Sequence, residues 1–204
     1  MTKTGSFLAR FANSLADSFI RLRELLFHPA KEFQSGSIRQ LDAVIVILLL
    51  MLLTVLQKVL WSAQSRIPTS AGEVIQQVLL AVLLGWGGLS SLFYFIAKWA
   101  KKEPDFTRIT VLVAAAGLPL VVTTLFSTLI IAFCLVLGIH GSAEPWQQVH
   151  QVLGWAGLVL GWPGWFSAMA LHAGGKIHWR TAMIISGALL AFLVAGSILP
   201  YLIQ

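Results

Sequence analysis

Acidic side chains are nearly missing from this sequence: 204 residues hold eight Asp and Glu against fourteen Lys and Arg. Only 11% of residues are charged, where a soluble domain averages about 25%. No pair of carboxylates stands ready for general acid–base work, and the long apolar runs hold almost no ionisable group, so no proton or ion relay is legible. The Walker A, HExxH and GxSxG patterns are absent as well. One cysteine, Cys134, sits within an apolar run, which excludes a disulfide within the chain and a CxxC redox pair. These absences predict a protein that is not an enzyme.

Apolar residues are abundant instead. They make up 57% of the chain, with a mean hydropathy of +0.83. A chain of this length cannot hide that much apolar surface in one water-facing globule. Its solvent should therefore be the lipid bilayer. The net charge of +6 and the pI near 9.9 could suggest nucleic acid. The basic residues flank apolar spans instead of forming a stripe on a soluble face, so nucleic acid is not expected as a partner. Five histidines raise the question of haem or metal. His140 and His150 flank one loop and His172 and His178 another, none at mid-membrane and none in HxxxH spacing, so no cofactor and no metal are expected.

A hydrocarbon core of about 30 Å needs about 20 helical residues. Five runs meet that length, at about 41–61, 74–97, 109–139, 146–173 and 181–203. The third carries Pro119 after Ala114-Ala115-Ala116-Gly117. Proline removes a backbone donor and bends a helix. The reading is a tilted or shallow helix over 106–118, with the deeper part of span three over 119–139. The fold class expected is an all-α integral membrane protein. Five transmembrane helices over 41–204 follow a cytoplasmic amphipathic helix and joint over 1–40.

The basic residues orient these spans. Six lie in 1–40 (Lys3, Arg10, Arg21, Arg23, Lys31 and Arg39), four between spans two and three, and two, Lys176 and Arg180, between spans four and five. Only Lys58 and Arg66 fall on the other side. Basic loops stay cytoplasmic. The N-terminus is expected inside and the C-terminus in the periplasm, in the cell inner membrane.

Residues 6–27 place Leu8, Phe11, Leu15, Phe19, Leu22 and Leu26 three or four apart, on one helical face. Arg10, Asn13, Asp17, Arg21 and Glu24 fall on the other. Such a helix is too polar to span. It can lie in the membrane interface with Arg10 and Arg21 near anionic headgroups. It can equally dock on the protein's own cytoplasmic side. Either way Phe11, Leu15, Phe19, Leu22, Arg10 and Arg21 are the expected surface for membrane or partner. His28-Pro29 should end the helix, and Gln34-Ser35-Gly36-Ser37 reads as a short flexible joint.

Span four carries Gly154, Gly157, Gly161 and Gly164, spaced three, four and three, a ridge that lets another helix approach closely. Pro163 should bend the helix there, beside Trp155, Trp162 and Trp165. Three uses are open: packing within the bundle, contact in a homo-oligomer, or a substrate path along a broken helix. Gly85 and Gly88 in span two form a similar close-contact candidate, so spans two and four are expected to pack together.

Leu26-Phe27-His28-Pro29-Ala30-Lys31-Glu32-Phe33 before span one, Phe106-Thr107-Arg108-Ile109 and Gly117-Leu118-Pro119 in span three, and the stretch from Trp165 to Ile198 occur in a familiar order. In these pieces the chain resembles the Yip (Ypt/Rab-interacting protein) family over roughly residues 25–203, and above all its small bacterial inner-membrane members. The resemblance implies five helices and a cytoplasmic N-terminus. Eukaryotic relatives are linked to vesicle traffic and Rab-type GTPases and carry a longer polar region before the spans. Here that region is about 40 residues long and amphipathic. No catalytic residue carries over. The expected role is to organise membrane or recruit partners, the lipid bilayer and a homo-oligomer or membrane-protein partner being the contacts. The alternatives are a passive channel or small-solute transporter lined by Gln76, Thr123, Thr124 or Ser127, and an assembly subunit of a larger complex.

Overall fold

A computed structural model describes residues 3–65, 70–139, 144–162 and 164–202. Among these residues every regular element is a helix. They are α1 (Lys3–Phe27), α2 (Pro29–Ser35), α3 (Gln40–Ser65), α4 (Ala71–Trp99), α5 (Phe106–Ala115), α6 (Leu118–Val136), α7 (Glu144–Leu160), α8 (Trp165–Gly175) and α9 (Trp179–Leu202). Three stretches are long and apolar enough to cross a membrane: Gln40–Ala63, Ala71–Trp99 and Phe106–Val136. A shorter apolar helix covers Trp179–Ala195.

Local chemistry explains the boundaries. Pro29 opens α2 at its first turn, where its missing N–H costs nothing, and α1 stops two residues earlier. Gly36 ends α2 in the left-handed conformation at φ 76°, a position that favours glycine. The expected flexible joint is in fact braced. The Ser35 hydroxyl bonds the Glu32 carbonyl and the Ser37 hydroxyl, and Ser37 donates to the buried Glu32 carboxylate. Asp105 caps α5 by accepting from the Thr107 and Arg108 N–H groups at 2.9 and 3.3 Å.

The core sits where α3, α4, α5 and α8 meet. Ile109 and Leu112 to Ala116 have no solvent exposure, and neither have Phe93, Ala97, Ala170 and Leu171. Small residues permit this closeness: Gly174 of α8 lies against Ile109 and Leu112 of α5. One face of each of α3, α4 and α6 points outward, with Leu48, Leu52, Leu84, Phe95, Phe126 and Phe133 exposed, as lipid-facing surfaces are.

Candidate functional site

Two features collect the residues singled out in the sequence: the docked α1, and the crossing of two interrupted helices. Leu22 and Leu25 of α1 are buried, Leu15 and Leu26 pack against the core, and the fully buried Ser18 lies on the same face. Arg21 anchors this face. Its guanidinium donates to both carboxylate oxygens of Asp42 in α3, at 3.0 and 2.9 Å, and to Ser18 at 3.0 Å. Asp42 also accepts from the Arg39 N–H at 2.8 Å. The hydrogen bond to Asp42 raises the Arg21 pKa above its ordinary value, against the opposing effect of burial. Arg21 thus ties α1 to α3, as the docked alternative requires. The apolar stripe is split as well. Leu22 and part of Leu15 face the protein, while Phe11 and Phe19 are 48% and 54% exposed, joined outside by Ile20 and Phe27. Arg10 is exposed.

The helical runs expected as spans three and four are each interrupted, and the interruptions touch. Between α5 and α6 the chain tightens. The Gly117 N–H turns to the Ala114 carbonyl at 2.9 Å, which takes the in-helix donor from the Val113 carbonyl. The Trp162 indole N–H supplies it instead, at 2.6 Å. A second indole, Trp86 of α4, donates to the Thr110 carbonyl at 2.9 Å. Buried Pro119 opens α6, whose first turn tolerates it. Span four is not one bent helix over 146–173: α7 ends at Leu160 and α8 begins at Trp165. Pro163, expected to cause the bend, lies outside the described residues.

The break rearranges the glycine ridge. A Cβ on Gly157 would meet Thr123 and Leu120 of α6, and one on Gly161 would lie 3.0 Å from the Ala116 carbonyl and 2.8 Å from that of Gly157. Gly164 is pressed against its own chain at Val159, and Gly154 meets nothing within 4 Å. The ridge therefore serves the span-three crossing. Spans two and four do touch, but at Gly85 against the Trp162 ring, 3.4 Å from a would-be Cβ, while Gly88 faces open space. Sequence reasoning did not assign Trp162 and Trp86 as donors, nor pair Asp42 with Arg21. The one available signal was a tryptophan held among glycines, where a ring can reach a neighbour's backbone.

Polar groups within the spans bond their neighbours. Gln57 donates to Ser127 at 2.7 Å, Thr123 to the Pro119 carbonyl at 3.1 Å, and Thr128 to the Thr124 carbonyl at 2.7 Å. Gln76 is exposed on α4. His172 lies against Trp179, its Nδ1 2.6 Å from the Ile177 carbonyl. Among the described residues no three His, Cys, Asp or Glu side chains gather as a metal site would require.

The Yip1 domain matches residues 23–199, from the last turn of α1 nearly to the end of α9. The chain belongs to the Yip1 domain family. No curated protein and no solved structure matches it. The motifs that carried the resemblance lie at structural corners of this Yip1 domain: Leu26–Phe33 forms the α1–α2 turn, and Gly117-Leu118-Pro119 forms the α5–α6 break. Family membership and the apolar helices together make it a multi-pass membrane protein.

Proposed function

We propose that this Yip1 domain protein is a non-enzymatic protein of the cell inner membrane that organises membrane or recruits partners at its cytoplasmic face. It crosses the membrane five times, with α7 and α8 together as span four and α9 as span five. Its N-terminus is cytoplasmic and its C-terminus periplasmic. Twelve of the fourteen basic residues support that orientation.

The observation that carries the role is the two-sidedness of α1. One side is clamped to α3 through Arg21 and Asp42, while Phe11, Phe19, Ile20 and Phe27 stay exposed on a helix too polar to span. A helix fixed in that way presents aromatic side chains to whatever lies outside the bundle, lipid or protein. A photoreactive phenylalanine analogue at position 19 of the full-length protein tests it. Cross-links to lipid or to one discrete protein are expected; adducts confined to the protein's own chain would remove α1 from the role. The scarcity of acids supports the non-enzymatic reading.

A passive channel or small-solute transporter draws less support. Thr123 and Thr128 bond carbonyls of their own helix α6, Gln57 of α3 bonds Ser127 of α6, and the break in span three is filled by Trp162, which is 6% exposed.

A further inference from the structure

Two cavities meet at Trp165. The first, about 250 Å³, is lined by Ala30, Phe33 and Gln34 on one face of α2, Trp165 and His172 on α8, and Trp179 on α9. The Trp165 and Trp179 rings stand edge to face, 5.4 Å apart, and form an aromatic corner. The lining is mainly apolar, and the polar residues in it carry donors, namely the Trp165 and Trp179 indoles and the Gln34 amide, while His172 is tied at Nδ1 to the Ile177 carbonyl. No Asp or Glu lines it. Exposed Lys31 follows Ala30, and exposed Lys176 and Arg180 bracket the turn that carries Trp179. Donors with cations close by along the chain suit a phosphate.

The second cavity, about 280 Å³, lies beside the break in span four. Val159 and Leu160 end α7 there, Gly164 and Trp165 begin α8, and Ser186 and Gly187 face it from α9. The first N–H groups of α8 have no carbonyl of their own helix to bond, and Gly164 offers no side-chain cap. Ser186 is 2% exposed, and its hydroxyl has no hydrogen-bond partner among the described residues. Donors left open in an apolar groove call for an uncharged acceptor such as an ester carbonyl. Ser186 lies seven residues beyond Trp179, roughly 10 Å along α9 at about 1.5 Å per residue. Trp165 lines both cavities, so one amphiphile can reach from the first into the second.

We propose that the two cavities together hold one anionic phospholipid from the leaflet at the basic end of the bundle. Its phosphate sits at the Trp165–Trp179 corner, its ester carbonyls at Ser186 and the start of α8, and its chains run along Val159, Leu160 and Leu190. No residue of α1 takes part, so this site stands or falls separately from the surface proposed above.

Native mass spectrometry of the full-length protein, exchanged with equal amounts of phosphatidylglycerol and phosphatidylcholine of matched chains, tests it. One phosphatidylglycerol should be retained in preference by about tenfold, because the two lipids share a phosphate and differ in net charge beside Lys31, Lys176 and Arg180. Gly187→Leu places a side chain in the second cavity where a Cβ meets nothing within 4 Å. Retention should fall about tenfold in that variant, and retention of both lipids should fall in Gln34→Ala. Equal retention of the two lipids by the unaltered protein would overturn the proposal, as would undiminished retention by Gly187→Leu. Displacement of the lipid by excess glycerol phosphate would also overturn it, in favour of a site for free phosphate.

Discussion

The two interrupted spans solve the same problem in opposite ways. Between α5 and α6, the residues from Val111 to Pro119 are all buried, and an indole N–H from the interruption between α7 and α8 bonds the carbonyl that the break exposes. Between α7 and α8, Gly161 is pressed onto the first break, yet Gly164 and Trp165 border an open cavity and a hydroxyl without a partner. A break in a membrane helix frees backbone polar groups that hydrocarbon cannot satisfy. The first break is satisfied from within the protein. Beside the second lies a buried hydroxyl with no partner among the described residues, so it is the one suited to a ligand.

Substitutions sharpen this contrast. The largest effect belongs to Gly161→Val, which forces carbons against two backbone carbonyls at the crossing; a loss of about 3 kcal/mol is expected in reversible unfolding in mixed micelles. Trp162→Phe keeps an aromatic ring, though a smaller one, and deletes the donor, leaving the Val113 carbonyl orphaned. It should cost about 2 kcal/mol in the same measurement, whereas Trp155→Phe on the exposed side of α7 should change stability by less than about 0.5 kcal/mol. Gly117→Ala, with a new carbon 3.1 Å from the Ala114 carbonyl and 3.2 Å from Trp162, should cost about 1 kcal/mol. Gly154→Ala meets nothing within 4 Å and should stabilise α7 by about 0.5 kcal/mol. If Trp162→Phe were silent while Trp155→Phe destabilised, the sealed-versus-open distinction would fail.

Much of the scaffold was legible in residue order. The apolar runs gave the helices their approximate limits, and Pro119 after Gly117 located the break in span three within a residue or two. Pro29 placed the end of α1 equally well. The division of α1 was not legible. Its apolar stripe is continuous in sequence, but only part of it has a neighbour: Leu22 and Leu25 meet the bundle while Phe11 and Phe19 do not. Arg21 belonged to the polar face by periodicity, yet it is held by a carboxylate twenty-one positions away. The glycine ridge was read as one face of one helix. A break of four residues between α7 and α8 took Gly164 out of that register.

Sequence alone determined that this is a helical membrane protein of the Yip1 family, where its apolar stretches begin and end, and which end of the bundle is basic. Those properties depend on composition and spacing along the chain, which no distant contact alters. Only the tertiary structure decided which carbonyl Trp162 serves, which glycines are pressed and which are free, and which side of α1 is spent on docking. Hydrogen bonds and close packing act over a few ångströms between residues far apart in sequence, and a linear pattern does not specify which ones meet.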